Sequence, residues 1–409
     1  MATDVSAAPP VTPRPQRRRK RLTYNGKWAI GFLIAAVAVY VVYQWLLPNL
    51  NDNVNSFFNS WLPLSVVDEC MVWVICALGL NVVVGYAGLL DLGFVAFWAI
   101  GGYVAGWISS GFIFGRSWNF FGSAPAGAPG VHVNFWLVLI CAGFVCAVAG
   151  ILIGAPTLRL KSDYLALVTL GFGEIIPQFF RNGDDIFGHN LTNGTRGITP
   201  TDPISGPGFK LGPFDLQGQF LVMCLLVAFV VFVSLRLRTG RLGRAWLAIR
   251  EDELAASMMG VPLMRTKLAA YGVGAVAGGI GGVAFAGHIS AVIPDRFDFS
   301  ISITLLAMVV LGGMGNVWGV MVGALVLAWV NAQGLKQVGS TVNSALGTDI
   351  NFPSYNYGLF GLILVLMMLF RREGLIPEAR TKLLMREPDR GLLASHGIDI
   401  EDAMDQEDQ

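Results

Sequence analysis

The sequence predicts an all-α integral membrane protein, a polytopic helical bundle of about eight to ten transmembrane helices, some of them broken or re-entrant. Three observations carry this expectation. First, 54% of the 409 residues are apolar and only 13% are charged, which leaves too little polar surface to cover a soluble core of this size. Second, residues 28–47, WAIGFLIAAVAVYVVYQWLL, hold Gln44 as their only strongly polar member, and a helix of about 20 such residues crosses ~30 Å of hydrocarbon. Third, apolar runs recur at 64–86, 92–110, 134–155, 164–180, 219–236, 266–288, 300–314, 317–335 and 356–370, ten in all with the first.

The second and third runs, and the eighth and ninth, are separated only by Gly-containing bends. Irregular backbone at membrane depth is tolerated where protein surrounds it, so these pairs are expected to include broken helices. The chain then divides into a disordered basic tail at 1–27, a transmembrane domain at 28–376 and an acidic tail at 377–409. The domain includes an outer loop at 181–218 and a cytoplasmic loop at 238–265.

Orientation follows from Lys and Arg, which are retained on the cytoplasmic side. With the amino terminus inside, all but six of the 28 basic residues fall within: the run from Arg14 to Lys27, Arg159 and Lys161, the loop from Arg236 to Lys267, and the tail from Arg371. The outer six are Arg116, Arg181, Arg196, Lys210, Arg296 and Lys336. Ten spans place both termini in the cytoplasm of a multi-pass protein of the bacterial inner membrane. The basic QRRRKR stretch reads as a charge anchor for the first helix rather than a twin-Arg export signal, because the apolar run after it is too long and lacks a cleavage site. Neither tail suggests a nucleic-acid partner.

Several chemistries find no residues to carry them. Cys70, Cys76, Cys141, Cys146 and Cys224 all lie in apolar runs, where they act as small hydrophobes, and imply neither disulfides nor a metal site. His132, His189, His288 and His396 are scattered, with no H-E-x-x-H pattern, and His288 reads as a satisfied interface residue. No catalytic residue is expected. There is no G-x-x-x-x-G-K-[ST] for a nucleotide, so the chain is expected to bind no cofactor and to contain no power source of its own.

Within the runs, small and ionisable residues carry the information. The stretch GVGAVAGGIGGVAFAG at 272–287 lets helices approach closely, which is how they associate in lipid. Asp68, Glu69, Asp91 and Glu174 are costly there and need partners or an aqueous cavity. Asp91 in GLLDLGF is expected to cap the next helix at a bend. Glu174 in LVTLGFGEIIP, beside Gly171, Gly173 and Pro177, is expected either to cap freed amides or to point into a cavity. The polar 181–218 loop, whose NLT and NGT sequons read as turns, is either a docking surface for an external protein or a plain connector.

The cytoplasmic stretch GRLGRAWLAIREDELAASMMGVPLMRTKLAAYG, 240–272, reads as a short bounded helix. Glu251, Asp252 and Glu253 stand at its start, Gly260 suits a left-handed stop, and Pro262 prevents continuation. Leu254, Met258 and Val261 fall on one face, with Ala255 and Ala256 keeping it shallow. An apolar stripe outside the bilayer wants a groove on another protein, or else lies along the membrane.

The ELAASMMG run resembles the coupling loop of ATP-binding-cassette importer permeases. Four segments are similar to the branched-chain amino-acid ABC transporter permease family, LivM-type subunit: LGLNVVVGYAGLLDLGFVAFWAIGGY from Leu78, RLKSDYLALVTLGFGEI from Arg159, REDELAASMMGV from Arg250 and AMVVLGGMGNVWGVMVGA from Ala307. FRREGLI at Phe370 resembles the family's ending, so the match covers roughly 60–375.

The resemblance implies a second permease of LivH type, two cytoplasmic ATPase subunits that bind ATP and Mg, an extracytoplasmic substrate-binding protein, and leucine, isoleucine, valine or related amino acids as cargo. It also assigns ATPase coupling to Glu251, Asp252, Glu253, Leu254, Ala255, Ala256, Met258, Gly260 and Val261. The expected path lies at the glycine-rich breaks, where discontinuous helices would expose backbone to a zwitterion: Gly85, Gly88 and Asp91, then Gly171, Gly173 and Glu174, then Gly312, Gly313 and Gly315. The rivals are an ABC permease for urea or short amides, and a secondary transporter or channel. The long basic and acidic tails and the polar outer loop depart from the family pattern.

Overall fold

The computed structural model describes residues 24–376, apart from 47–48, 50–51, 114–116, 121, 123–128, 161, 187, 207–208, 213–214, 348, 350 and 372–373. Most of the basic tail and all of the acidic tail therefore lie outside the described residues, and Tyr24–Lys27 of the expected basic tail belong to the first helix. Among those described, seven stretches are long and apolar enough to cross a membrane: Gly26–Trp45, Asn55–Tyr86, Phe135–Thr157, Leu216–Thr239, Leu263–Ile289, Val317–Leu346 and Phe352–Phe370.

The helices, in order, are α1 (Tyr24–Val41), α2 (Asp52–Trp61), α3 (Leu64–Leu80), α4 (Val95–Ile108), α5 (Phe135–Thr157), α6 (Ser162–Arg181) and α7 (Leu216–Thr239). After these come α8 (Arg241–Glu251), α9 (Glu253–Met258), α10 (Leu263–Ile289), α11 (Phe299–Gly312), α12 (Val317–Trp329), α13 (Leu335–Leu346) and α14 (Asn356–Phe370). The three expected spans outside the seven are α4, α6 and α11. Helices α4 and α11 have 14 residues each, about 21 Å at 1.5 Å per residue, too short to cross alone. They are the broken members that the Gly-containing bends predict.

Side chains start several of the long helices. Asn134 accepts the Trp136 amide at 3.0 Å to open α5, and Asp215 accepts the Gly218 amide at 3.2 Å to open α7. Such caps satisfy amides that have no partner in the first turn. Helix α3 continues through a π turn, Asn81–Tyr86, before its chain breaks.

Helix α10 is the hub, packed against α3, α4 and α5, and its glycines are why it fits there. A Cβ placed on Gly282 would stand 2.3 Å from the Trp98 carbonyl oxygen of α4, and one on Gly101 of α4 would stand 2.4 Å from the Gly279 oxygen of α10. The two backbones are thus in contact, with dispersion taking over the role that the hydrophobic effect cannot play between helices in lipid. Trp98 fills the space beside this crossing, edge-on to Trp73 at 5.1 Å and to Phe285 at 5.2 Å.

The connections after α4 and α6 hold structure that no periodicity announced. Strands β1 (Ser109–Ser110), β2 (Ser117–Phe120) and β3 (Gly130–Val133) form a small sheet in the order β1-β3-β2. In its described residues, segment 181–218 folds onto the helix ends beside this sheet. Its Ile198 and Ile204 are buried, Ile198 pairs with Val292, Asp202 meets His132 Nδ1 at 2.9 Å, and the Leu191 carbonyl accepts the Trp107 indole N–H at 2.8 Å. Helices α2 and α13 are also additions to the predicted set, both amphipathic, and α2 is tied to the end of α12, where Trp329 donates to the Trp61 carbonyl at 2.9 Å.

Candidate functional site

The segment at 240–272 opens with two helices rather than one. Glu251 ends α8, and Asp252 is the extended residue between them, its Oδ1 accepting the amides of Leu254 at 2.8 Å and Ala255 at 3.0 Å to cap α9. At the far end Gly260 has φ +83°, a conformation that disfavours any residue with a Cβ, and the Val261 amide closes back on the Ala256 carbonyl at 3.1 Å. The result is a six-residue helix with both ends fastened.

Its surface divides sharply. Leu254, Met258 and Met259 are 66%, 78% and 85% exposed, so three large apolar side chains project from the tip. Ala255 is also exposed and Val261 half-buried. Ala256, expected on the outer face, is instead buried against the bundle. Glu253 is exposed but reaches back to the bundle, its Oε1 2.5 Å from Lys267 Nζ on α10. Beneath, the Trp246 indole of α8 is buried and donates to the Thr266 carbonyl at 2.8 Å. The projecting tip is therefore carried on a base fixed to the hub helix.

That base reaches the breaks. The Arg250 guanidinium, at the end of α8, donates to the Gly85 carbonyl in the π turn of α3. A Cβ on Gly88 would stand 2.9 Å from Arg250 Cγ, so the chain after the break lies against the same side chain. One turn back, Asn81 Oδ1 accepts the Gly315 amide at 2.9 Å. Gly85 lies between, where a Cβ would be 2.6 Å from the Gly315 nitrogen. The breaks at 87–94 and 313–316 thus meet at Asn81 and Gly85, and Arg250 joins them to α9.

A C-terminal strap completes the second break. The Leu375 amide donates to the Leu311 carbonyl at 2.8 Å and the Ile376 amide to the Gly312 carbonyl at 3.3 Å, while Asn316 Nδ2 donates to the Ile376 carbonyl at 3.0 Å. Gly374 stacks directly on Gly313, and Gly312 packs against Gly319 and Gly323 of α12. These groups satisfy the carbonyls left open where α11 ends.

Above the first break, the chain leading into α4 is held by side chains from three directions. The Leu92 amide donates to Thr169 Oγ1 of α6 at 3.1 Å, the Gly93 amide to Asp91 Oδ1 at 2.9 Å, and the Val95 amide to Ser302 Oγ of α11 at 3.0 Å. Asp91 is fully buried, next to Tyr271 of α10. It therefore braces the turn before α4 and is not the residue from which α4 starts, a place taken by Phe94. Gly173 packs on Gly93 and Leu92. Gly171 and Glu174 stand away from these contacts: nothing lies within 4 Å of a Cβ on Gly171, and Glu174 is exposed on the outward side of α6. His288 is held inside, its Nδ1 2.8 Å from Gln219 Oε1.

A family profile described as "Branched-chain amino acid transport system / permease component" matches residues 62–368, from the start of α3 to the end of α14. The chain belongs to this permease family. It is 36% identical to the high-affinity branched-chain amino acid transport system permease protein LivM of Salmonella typhimurium, over 79% of this chain and 72% of that protein. The LivM of Escherichia coli is also 36% identical, over 77% of this chain and 70% of its own length. The permease protein LivH of Salmonella typhimurium is 24% identical over 64% of this chain and 80% of its own length. No solved structure matches.

In this permease the residues that join the α8–α9 segment to the breaks carry no motif of their own. Arg250 opens the REDELAASMMGV segment and Asn81 lies inside LGLNVVVGYAG, but both are ordinary helix residues until the fold brings them to Gly85 and Gly315. Lys267 and Met259 were equally silent. A signal did exist for Lys267: a basic residue at the foot of an apolar helix invites a carboxylate partner, and Glu253 lies within the same loop.

Proposed function

We propose that the chain is the LivM-type subunit of an ATP-binding-cassette importer of the bacterial inner membrane, carrying branched-chain amino acids inward, with both termini in the cytoplasm. Its companions in this reading are a LivH-type permease, two cytoplasmic ATPase subunits that hold ATP and Mg, and an extracytoplasmic binding protein. One observation supports it above others. The tip formed by Leu254, Met258 and Met259 is apolar, outside the bundle and rigidly based, which is the form of a ligand for a groove on another protein.

In that complex, closure of the ATPase pair pushes on α9. The capped helix cannot absorb the push by bending, so α8 and the foot of α10 move with it. Arg250 passes the displacement to the breaks at 87–94 and 313–316, and the short helices α4 and α11 change their tilt. Selection of the ligand falls to the binding protein, which is why the path needs little more than small residues and backbone.

Reconstitution with the neighbouring-gene permease, ATPases and binding protein tests this. Labelled leucine is expected to accumulate only with ATP and all partners, whereas urea and glutamate are not. Accumulation without the ATPases would sink the reading in favour of a secondary transporter. Replacing Gly260 with Leu is expected to lower ATP-driven uptake at least tenfold with membrane insertion intact. The added side chain meets no neighbour, so its effect comes from the +83° backbone angle, at a cost of about 1–2 kcal/mol.

A further inference from the structure

Helix α6 carries a regular stripe on its outward face. Tyr164, Leu167, Glu174 and Gln178 are exposed and Gly171 lies among them with open space above it. Their spacing is three, four, three, four. That 3.5-residue period keeps one stripe facing one partner helix along its whole length, and a glycine at the middle lets the two backbones close. The opposite stripe of α6, Leu165, Thr169, Gly173 and Phe180, is buried against the bundle, and Ile175 and Phe179 are exposed beside the outward one.

Glu174 decides what covers this stripe. It stands seven residues, about 10 Å, inside the level of Arg181, which pairs with Asp295 at 3.0 Å at the outer end of the bundle. A carboxyl group at that depth is not left to acyl chains, and Gln178 one turn on adds a second polar group. Other outward faces differ. On α5 the exposed residues include Ile140, Phe144 and Leu152, and on α7 they include Leu225, Phe229 and Phe232, a surface that hydrocarbon satisfies. Between α5 and α7 lies an open groove of about 590 Å³ lined by residues such as Leu139, Leu226, Val276 and Ile280, without a charged group.

We infer that Tyr164, Leu167, Gly171, Glu174 and Gln178 of α6 pack against a membrane-spanning helix of the second permease subunit, which brings a small residue opposite Gly171 and a hydrogen-bond donor opposite Glu174. This rests on the importer reading above. It places the seam between the two unlike subunits on the one helix whose inner face holds the entry of α4 through Thr169 and Gly173.

The test uses the full chain co-expressed with its second permease and ATPases. Benzoylphenylalanine is placed at Leu167, and at Leu152 of α5 and Phe232 of α7 for comparison, and membranes are irradiated. The expected result is an adduct with the second permease from position 167 and none from 152 or 232. In parallel, Gly171→Leu is expected to lower recovery of the two-permease complex at least fivefold, with Gly171→Ala close to the parent. A partner adduct confined to position 152 or 232, an adduct from 167 with a second copy of this chain, or unchanged recovery of Gly171→Leu would each overturn the seam. Failure of the unmodified chain to co-purify with any permease or ATPase would instead overturn the importer reading.

Discussion

Arg250→Ala is expected to cut ATP-driven uptake at least tenfold while leaving the protein inserted and the ATPases bound. The guanidinium is the only described side chain that donates from the α8–α9 segment into the broken helix, reaching the Gly85 carbonyl, and its stem supports the chain at Gly88. A hydrogen bond from a charged donor is worth about 1.5–3 kcal/mol, and its loss lets α9 move without moving Gly85. Hydrolysis per assembled complex should persist, so the quantity to measure is the ratio of leucine transported to ATP hydrolysed. Arg250→Lys, which keeps a charged donor on a flexible stem, should recover part of it. Asn81→Ala should lower the same ratio severalfold, because it cuts the bond from Asn81 Oδ1 to the Gly315 amide. Unchanged ratios in both Arg250→Ala and Asn81→Ala would remove this route from the mechanism.

How far the site could be read in advance differs residue by residue, and the physics explains which. Asp252, Gly260 and Pro262 act within their own short segment, through a cap, a left-handed turn and a missing amide, so local chemistry predicts the bounded helix. The bends at Gly85–Gly93 and Gly312–Gly315 were likewise legible, because glycine in an apolar run weakens a helix whatever surrounds it. The bond between Asn81 and Gly315 joins residues 234 apart in sequence, and nothing local marks it. Helix α6 was less legible for another reason. A carboxyl group in a span is expected to cap freed amides or to point into a cavity, and the local sequence does not say on which side of the helix Glu174 meets either. Apolar residues on both sides of α6 leave its rotation undecided, and only the burial of Thr169 and Gly173 against Leu92 and Gly93 settles which way Glu174 points.

The stretch at 272–287 gives the second large effect, on stability. Gly282→Val is expected to prevent recovery of folded protein, or to lower its thermal midpoint in detergent by well over ten degrees. A first added carbon would already lie 2.3 Å from the Trp98 oxygen and 2.6 Å from the Gly102 nitrogen. Both are backbone atoms that cannot rotate away, so α4 and α10 must separate. Separation removes the Gly101–Gly279 contact and loosens the aromatic packing around Trp98, a loss at or beyond the upper end of the roughly 1–3 kcal/mol typical of overpacking. Gly282→Ala should show the same direction with a smaller shift, since the carbonyl is met by the Cβ itself. Gly358→Ala and Gly361→Ala on α14 provide the contrast, because nothing lies within 4 Å of either added carbon, and they should match or slightly exceed the parent through better helix propensity. Equal midpoints for Gly282→Val and Gly361→Ala would mean that α4 and α10 do not cross at backbone contact.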